Sequence, residues 1–148
     1  MKVRDLLGEK VRPVHTIAGH RSVDNAIDIM TGKQATALIV MQNEEPIGIF
    51  TERDVFRCHQ RNIKDLSEID LHEAMTDKLL SVSPEDDAGR LITIMIKADI
   101  RHAPVIEKNK LIGLLTLNDL TEQQIESLND EIHQLQDYID DLHEAARD

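Results

Sequence analysis

The sequence is poor in aromatic residues, with no tryptophan, one tyrosine and two phenylalanines among 148 residues. Proteins that hold single-stranded nucleic acid stack its bases on aromatic rings, and platforms for carbohydrates also rely on such rings. The formal net charge is −11, and this charge repels a phosphate backbone. We therefore expect neither a nucleic-acid partner nor a carbohydrate-binding platform.

Cysteine and long apolar runs are also scarce. Cys58 is the only cysteine, so a disulfide within one chain is impossible and a cytosolic setting is the default interpretation. No apolar segment follows the first residues, which argues against a signal peptide. No run approaches the roughly 20 apolar residues of a membrane span. The composition predicts a soluble, cytoplasmic protein with no membrane partner.

Residues that could do chemistry form no recognisable constellation. The seven histidines are scattered and have no convincing metal-ligand spacing. Cys58 has no evident histidine and carboxylate or amide partners, so packing is a better interpretation of it than nucleophilic catalysis. We expect no catalytic residue, no metal site and no enzyme activity.

One short motif occurs twice. Gly48–Asp54 reads GIFTERD and Gly113–Asp119 reads GLLTLND, and their Gly, Thr and Asp are each 65 residues apart. Each copy follows a β-like run and opens a helix-like run. Glycine allows close backbone approach, Thr and Asp suit a helix start, and a helix start can receive a phosphate. The repetition predicts a duplicated module.

The rest of the chain up to residue 120 follows the same duplication. We predict an α/β (α+β) fold with two β-α-β-β-α halves that pack face to face as one unit. The first half is expected to have an opening turn, edge strand, helix, buried strand, turn, return strand and motif helix, at residues 3–7, 11–17, 23–32, 37–41, 42–46, 47–50 and 51–59. The corresponding opening turn, strands and hairpin turn of the second half are expected at residues 71–75, 80–82, 103–106, 107–110 and 111–115.

The last 28 residues differ from both halves. They hold nine acids and one base, which leaves a net charge of only −3 for residues 1–120. Isoleucine at each a position and leucine at each d position form a heptad repeat: Ile125, Leu128, Ile132, Leu135, Ile139 and Leu142. This pattern favours a parallel two-stranded coiled coil. With no Gly or Pro after Gly113, we expect the helix that opens at Thr116 to continue through this tail.

The motifs resemble the G-h-h-T-x-x-D signature of CBS domains (h is hydrophobic), which occur in tandem as a Bateman module. Residues 102–106 resemble the core strand of that family, and residues 25–30 resemble its first helix. The resemblance covers residues 1–120 and implies a first CBS-type repeat at 1–66, a second at 67–120 and an additional acidic helix at 121–148. It implies a regulatory sensor of adenosine-containing ligands that performs no chemistry on them.

The resemblance also implies the ligand and its contacts. AMP, ADP or ATP is expected first, and S-adenosylmethionine or NAD less so. Asp54 and Asp119 would accept hydrogen bonds from ribose hydroxyls, and Thr51 and Thr116 would contact ribose or phosphate. Backbone groups near adenine would come from Thr16, Ile17, Ser81 and Val82, and phosphate contacts from Arg101 and His102. At the corresponding place the first half has Thr36-Ala37-Leu38, which includes neither a basic residue nor the proline of the family pattern. Phosphate contacts are therefore expected from the second half, and one good site per chain is expected.

Several alternatives remain open from the sequence. The Thr and Asp of each motif can form a capping box without any ligand, and Arg101 and His102 can belong to a solvated edge. The chain can also be a structural adaptor or oligomerisation protein with vestigial pockets. The expected assembly is a parallel homodimer that acts on an unknown downstream protein, and the tail's alternatives are docking on its own module or on another protein's helix.

Overall fold

The computed structural model describes residues 1–10, 13–61 and 65–146. Its six helices within these ranges are α1 (Val3–Lys10), α2 (Val23–Lys33), α3 (Glu52–Arg61), α4 (Leu71–Ala74), α5 (Ala88–Ala98) and α6 (Leu117–Ala146). Its five strands are β1 (Thr16–Ala18), β2 (Ala37–Gln42), β3 (Glu45–Thr51), β4 (His102–Glu107) and β5 (Lys110–Thr116). A short 3₁₀ helix, Leu66–Glu68, precedes α4.

Corresponding elements of the two halves match in backbone detail. The antiparallel pairs β2–β3 and β4–β5 have the same register, with Ala37 opposite Thr51 and His102 opposite Thr116. The C-caps of α2 and α5, Gln34 and Asp99, are both left-handed and lie 65 residues apart. The duplication seen in the motifs therefore extends to the geometry, and the predicted α+β architecture is confirmed.

The hairpin turns are tighter than expected. Two-residue turns connect the strands at Asn43-Glu44 and Lys108-Asn109, and all four residues have positive φ. This is the conformation of a type I′ turn, which suits the twist of the flanking strands. The predicted turns at 42–46 and 107–110 were too long because Pro46 lies inside β3 and Glu107 and Lys110 are paired.

The first strand of each half is shorter than predicted. β1 begins at Thr16, and the expected start at Val11 lies outside the described residues. In the second half the expected strand at 80–82 is one parallel bridge between Val82 and Val105. In the first half the amide of Ile39 donates to His15 O at 3.0 Å, but the matching residue is Pro104, which has no N–H. Pro104 therefore prevents the second ladder from extending.

Each half contributes a helix to the other half's core. Val3 and Leu6 of α1 are buried with α5, β4 and β5, whereas Leu71 of α4 is fully buried with α2, β2 and β3. A third cluster joins the halves and contains Ala37, Ile39, Ile49 and Leu114. The two halves therefore form one unit whose cores do not separate at the sequence repeat.

The C-terminal helix α6 is continuous for 30 residues, as expected from the sequence. Its first turn packs on the body through the buried Leu120, and from Leu128 to Ala146 every residue is exposed. Within the described ranges, no helix combines the length and apolar character needed to cross a membrane.

Candidate functional site

A cleft of about 160 Å³ opens between the two halves. The ends of β3 and α3 form its first side, and the residues between α5 and β4 form its second side. Its lining residues are Thr36, Ile49, Thr51, Glu52, Arg53, Arg57, Thr76, Lys78, Asp99, Ile100, Arg101 and His102. Four of these side chains are cationic at neutral pH and two are acidic, so the cleft is positive in a chain whose net charge is −11.

Two cations of the cleft already have carboxylate partners: Arg53 pairs with Asp99 and Arg57 pairs with Asp54. Arg53 donates from Nη1 and Nη2 to the Asp99 carboxylate at 3.1 and 3.4 Å, which links the first half to the second. A hydrogen bond from Arg53, its positive charge and the charge of Arg101 hold the pKa of Asp99 below its ordinary value. The Asp99 carboxylate thus stays ionised, and it pairs with the Arg53 guanidinium group that lines the cleft.

Asp54 is the most buried charged residue of the first motif, with an exposed fraction of 1%. Its Oδ2 accepts from the Thr51 amide at 2.9 Å, and its Oδ1 accepts from the Thr76 hydroxyl at 3.0 Å. Arg57 Nη1 donates to the same Oδ1 at 3.3 Å. The capping role considered for this motif is therefore present in the structure.

Gly48 has no side chain, so the linker between the two halves can lie directly against β3 and bring Thr76 to Asp54. The backbone of Ile49 exchanges both hydrogen bonds with Thr76 at 2.9 Å. A Cβ atom on residue 48 would lie 2.6 Å from Met75 Sδ and 2.9 Å from Thr76 O, closer than real contacts permit. The glycine at this position is therefore required by close backbone approach, and it places Thr76 against Asp54.

In the second motif, a hydrogen bond within the motif again lies at the start of the helix. The Thr116 hydroxyl accepts from the Asp119 amide at 3.1 Å and so caps the first turn of α6. Asp119 is 8% exposed and has interactions of its own. Neither residue lines the cleft, although a cavity of about 10 Å³ lies beside Asp119.

Arg101 connects the two motifs. Its backbone oxygen accepts from the Leu117 amide at 2.9 Å, directly after Thr116, while its exposed side chain lines the cleft together with Thr51. The half-buried His102 lines the same cleft. The structure thus brings Thr51, Arg101 and His102 together, with Asp54 beneath them.

The residues expected near adenine lie outside this cleft. Ile17 and Val82 are buried, and Thr16 and Ser81 are exposed beside them. The Val82 amide donates to Pro104 O at 3.0 Å, and Val82 O accepts from the Ile106 amide at 2.8 Å. Both backbone groups of Val82 are therefore used by β4.

Sequence reasoning missed several residues of the cleft. Arg53 and Arg57 are four residues apart on α3 and hence share one helix face. This spacing next to the first motif is a sequence signal for a basic surface at the site. Thr76 and Lys78 lie in the linker between the halves. No local sequence pattern identifies Thr76 and Lys78, because they lie in the cleft only as a result of the linker passing over β3.

A larger groove of about 690 Å³ lies between α2 and α3. It is mostly apolar, and the 69% exposed Phe56 lies at its surface. Neither the four cations of the cleft nor the predicted ligand contacts belong to it. Among the described residues, no cluster of three or more His, Cys, Asp or Glu side chains could hold a metal ion.

The sequence matches the CBS domain family twice, over residues 3–60 and 66–126. The chain therefore belongs to the CBS domain family and carries a tandem pair followed by a long helix. A mitochondrial CBS domain-containing protein of Arabidopsis thaliana is 30% identical over 123 residues, which cover 80% of this chain and 60% of that protein. The chain spans 55–60% of the length of the first curated relatives that it matches.

Solved structures share the fold. A protein from Burkholderia ambifaria described as a signal-transduction protein with CBS domains is 30% identical, with a TM-score of 0.77 and coverage of 85% of this chain and 95% of that chain. Two more distant CBS proteins were solved with adenosine compounds. One from Pyrobaculum aerophilum holds AMP (18% identity, TM-score 0.69, 80% and 89% coverage). A CBS domain pair with 5′-methylthioadenosine and S-adenosyl-L-methionine is 19% identical (TM-score 0.72, 86% and 98% coverage).

Proposed function

We propose that this chain is a regulatory module that binds AMP, ADP or ATP in the cleft between its halves. It performs no catalysis, and it passes the state of the cleft to a dimer partner and to a downstream protein. The single observation that carries the proposal is the convergence of Arg53, Arg57, Lys78 and Arg101 on one cleft. Such a concentration of positive charge fits phosphate groups.

The charge of the cleft favours nucleotides over sulfonium ligands. S-adenosylmethionine carries a positive sulfur centre, which the four cations would repel, whereas each phosphate of AMP, ADP or ATP would be attracted. NAD also carries phosphates and remains a second choice. The volume of about 160 Å³ is below the roughly 300 Å³ at which small-molecule pockets begin, so the phosphates enter the cleft and the nucleoside extends from its open side.

A binding role fits the side chains better than an enzymatic role. The Thr76 hydroxyl donates to Asp54, and that carboxylate already accepts from several donors. Partial burial and the charge of Asp54 raise the pKa of the Cys58 thiol, which disfavours a nucleophilic thiolate. The similar protein from Burkholderia ambifaria, described as a signal-transduction protein, supports the same interpretation.

Calorimetry on two arginine variants tests the ligand and its position. Arg101→Ala removes a charge-assisted phosphate contact and should weaken AMP and ATP binding by about 1.5–3 kcal/mol, while adenosine binding stays unchanged. Arg90→Ala is the matched control, because Arg90 is exposed on α5 and does not line the cleft. Equal losses for adenosine and AMP would mean that Arg101 supports the fold instead of the phosphate.

The second candidate function is a structural adaptor with unused pockets. The internal partners of Asp54 favour it, because a ribose would have to compete with Thr51 and Thr76. A thermal-shift screen of AMP, ADP, ATP, NAD and S-adenosylmethionine separates the two functions. A ligand at 100 times its Kd stabilises a protein by about 2.7 kcal/mol. No shift with any of the five would support the adaptor.

A further inference from the structure

The exposed part of α6 carries an apolar stripe that nothing in the described chain covers. The stripe consists of Ile125, Leu128, Ile132, Leu135, Ile139 and Leu142, whose exposed fractions lie between 45% and 62%. A helix in a protein gains most of its stability from packing an apolar face. Since residues 128–146 pack on nothing within the described chain, this face requires a partner.

The charge distribution around the stripe shows which partner fits. Six of the seven acids between residues 125 and 145 occupy the outer heptad positions b, c and f: Glu126, Asp130, Asp137, Asp140, Asp141 and Glu144. Positions e and g, which flank the seam, hold Gln124, Asn129, Glu131, Gln136, Tyr138, His143 and Ala145. The acidic tail therefore keeps its charge away from the seam, with one exception.

The exception is also compatible with self-pairing. In a parallel in-register pair, a g residue faces the e residue of the next heptad on the partner. Glu131 then faces Gln136, and Tyr138 faces His143, so no two acids meet. A basic foreign helix would gain nothing along the neutral flanks, whereas a second copy matches the uncharged seam. Isoleucine at a and leucine at d also specify two parallel strands.

We propose that α6 pairs with α6 of a second copy as a parallel, in-register coiled coil over residues 125–145. The pairing supplies the dimer partner named in the proposed function and in that respect rests on it. Its failure would leave nucleotide binding in the cleft intact, and the calorimetry on the Arg101 variant tests that binding separately. Surplus acids at the outer positions repel one another across the pair, and added salt screens this repulsion.

Disulfide trapping in the full chain tests the pairing and its direction. Cys58→Ser removes the native thiol, and Leu142→Cys then places one cysteine at a d position, where two parallel copies face each other. A disulfide requires Cα atoms closer than about 7 Å. In a glutathione redox buffer this variant should become a covalent dimer. Cys58→Ser with Asp137→Cys, at an outer f position of the same helix, should stay unlinked.

A third variant shows whether the stripe holds the pair. Ile132→Gln and Leu135→Gln added to the Leu142→Cys chain should abolish the covalent dimer, whereas Asp130→Gln and His133→Gln, at outer positions, should leave it unchanged. Circular dichroism verifies that the body stays folded. The proposal is overturned if Leu142→Cys does not cross-link, as expected for an antiparallel pair or for docking on another protein. Equal cross-linking through residue 137, or a covalent dimer that survives the two stripe substitutions, overturns it as well.

Discussion

At the residue scale, Asp54 and Asp119 share a place in the repeat, and each lies at the start of a helix next to its threonine. Asp54 accepts from the Thr51 amide and from the Thr76 hydroxyl of the linker, whereas the Asp119 amide donates to Thr116. The first motif thus connects its helix to the linker between the halves. The same pair of residue types therefore has a structural function in the first half before any ligand binds.

We expect Asp54→Asn to lower the free energy of unfolding by about 1–3 kcal/mol without ligand, since it replaces a buried acceptor that has several donors. Glu52→Gln removes an exposed carboxylate from the first turn of the same helix and should change the stability by less than about 0.5 kcal/mol. Urea unfolding of both variants measures the difference. Equal stabilities would show that the contacts of Asp54 do not stabilise the fold.

Asp99 competes with a ligand phosphate for Arg53. We predict that Asp99→Asn tightens AMP binding several-fold, because it removes the carboxylate that holds the Arg53 guanidinium group. The lowered pKa of Asp99 means that the carboxylate remains charged at neutral pH, so the competition operates under ordinary conditions.

The control for the Asp99→Asn variant is a second substitution that removes one negative charge far from the cleft. Asp141→Asn removes the same unit of charge from the exposed part of α6 and should leave the Kd for AMP unchanged. Calorimetry at two salt concentrations measures both variants. Weaker binding by the Asp99 variant would show instead that the pair with Arg53 preorganises the cleft.

At the element scale, the linker that crosses β3 depends on one glycine. Gly48→Ala should lower the stability and disturb the contact between Thr76 and Asp54, because its Cβ would meet Met75 and the backbone of Thr76. Gly32→Ala, in the last turn of α2, meets nothing within 4 Å and should raise the stability by about 0.5–1 kcal/mol. Thermal unfolding of the two variants compares them, and a stable Gly48→Ala protein would contradict the requirement for close approach.

The sequence predicted the elements that depend on local pattern. The helix expected at 23–32, the buried strands, the motif helices and the long α6 lie close to their expected places. The two-residue turns were not foreseen, because neither Asn43-Glu44 nor Lys108-Asn109 contains the glycine that usually marks a type I′ turn. The single bridge at Val82 could not be predicted, because the sequence does not show that this segment lies beside Pro104.

The composition of the cleft depends on contacts that are remote in sequence. Arg101 was expected beside the second motif, and its backbone lies there, but its side chain lines a cleft with Thr51 of the first half. Such a grouping depends on how the halves dock, which no local pattern specifies. The ligand roles of all ten predicted contact residues stay predictions: Thr16, Ile17, Thr51, Asp54, Ser81, Val82, Arg101, His102, Thr116 and Asp119.

At the scale of the whole molecule, the exchange of α1 and α4 between the halves predicts cooperative unfolding. Each core contains a helix that belongs to the other repeat in sequence, and a shared cluster joins them. Val3→Ala, which removes a fully buried side chain of α1, should therefore destabilise both halves equally.

Hydrogen exchange measures this cooperativity at single residues. Amides of β2 and of β4 should lose the same free energy of protection in the Val3→Ala protein, and both should report one transition in denaturant. A loss confined to β4 and β5 would show that the halves unfold separately, despite the exchanged helices.

The helix that begins directly after Thr116 is the one that leaves the body at Leu128. The exposed part of α6, from Leu128 to Ala146, can therefore tilt as one unit about the place where the helix leaves the body. At ~1.5 Å per residue this part extends about 28 Å, so a tilt of about 10° displaces its tip by about 5 Å. A displacement of that size is comparable to the strand spacing of a sheet. A movement too small to alter the body's packing would thus become large enough for another protein to distinguish at the far end.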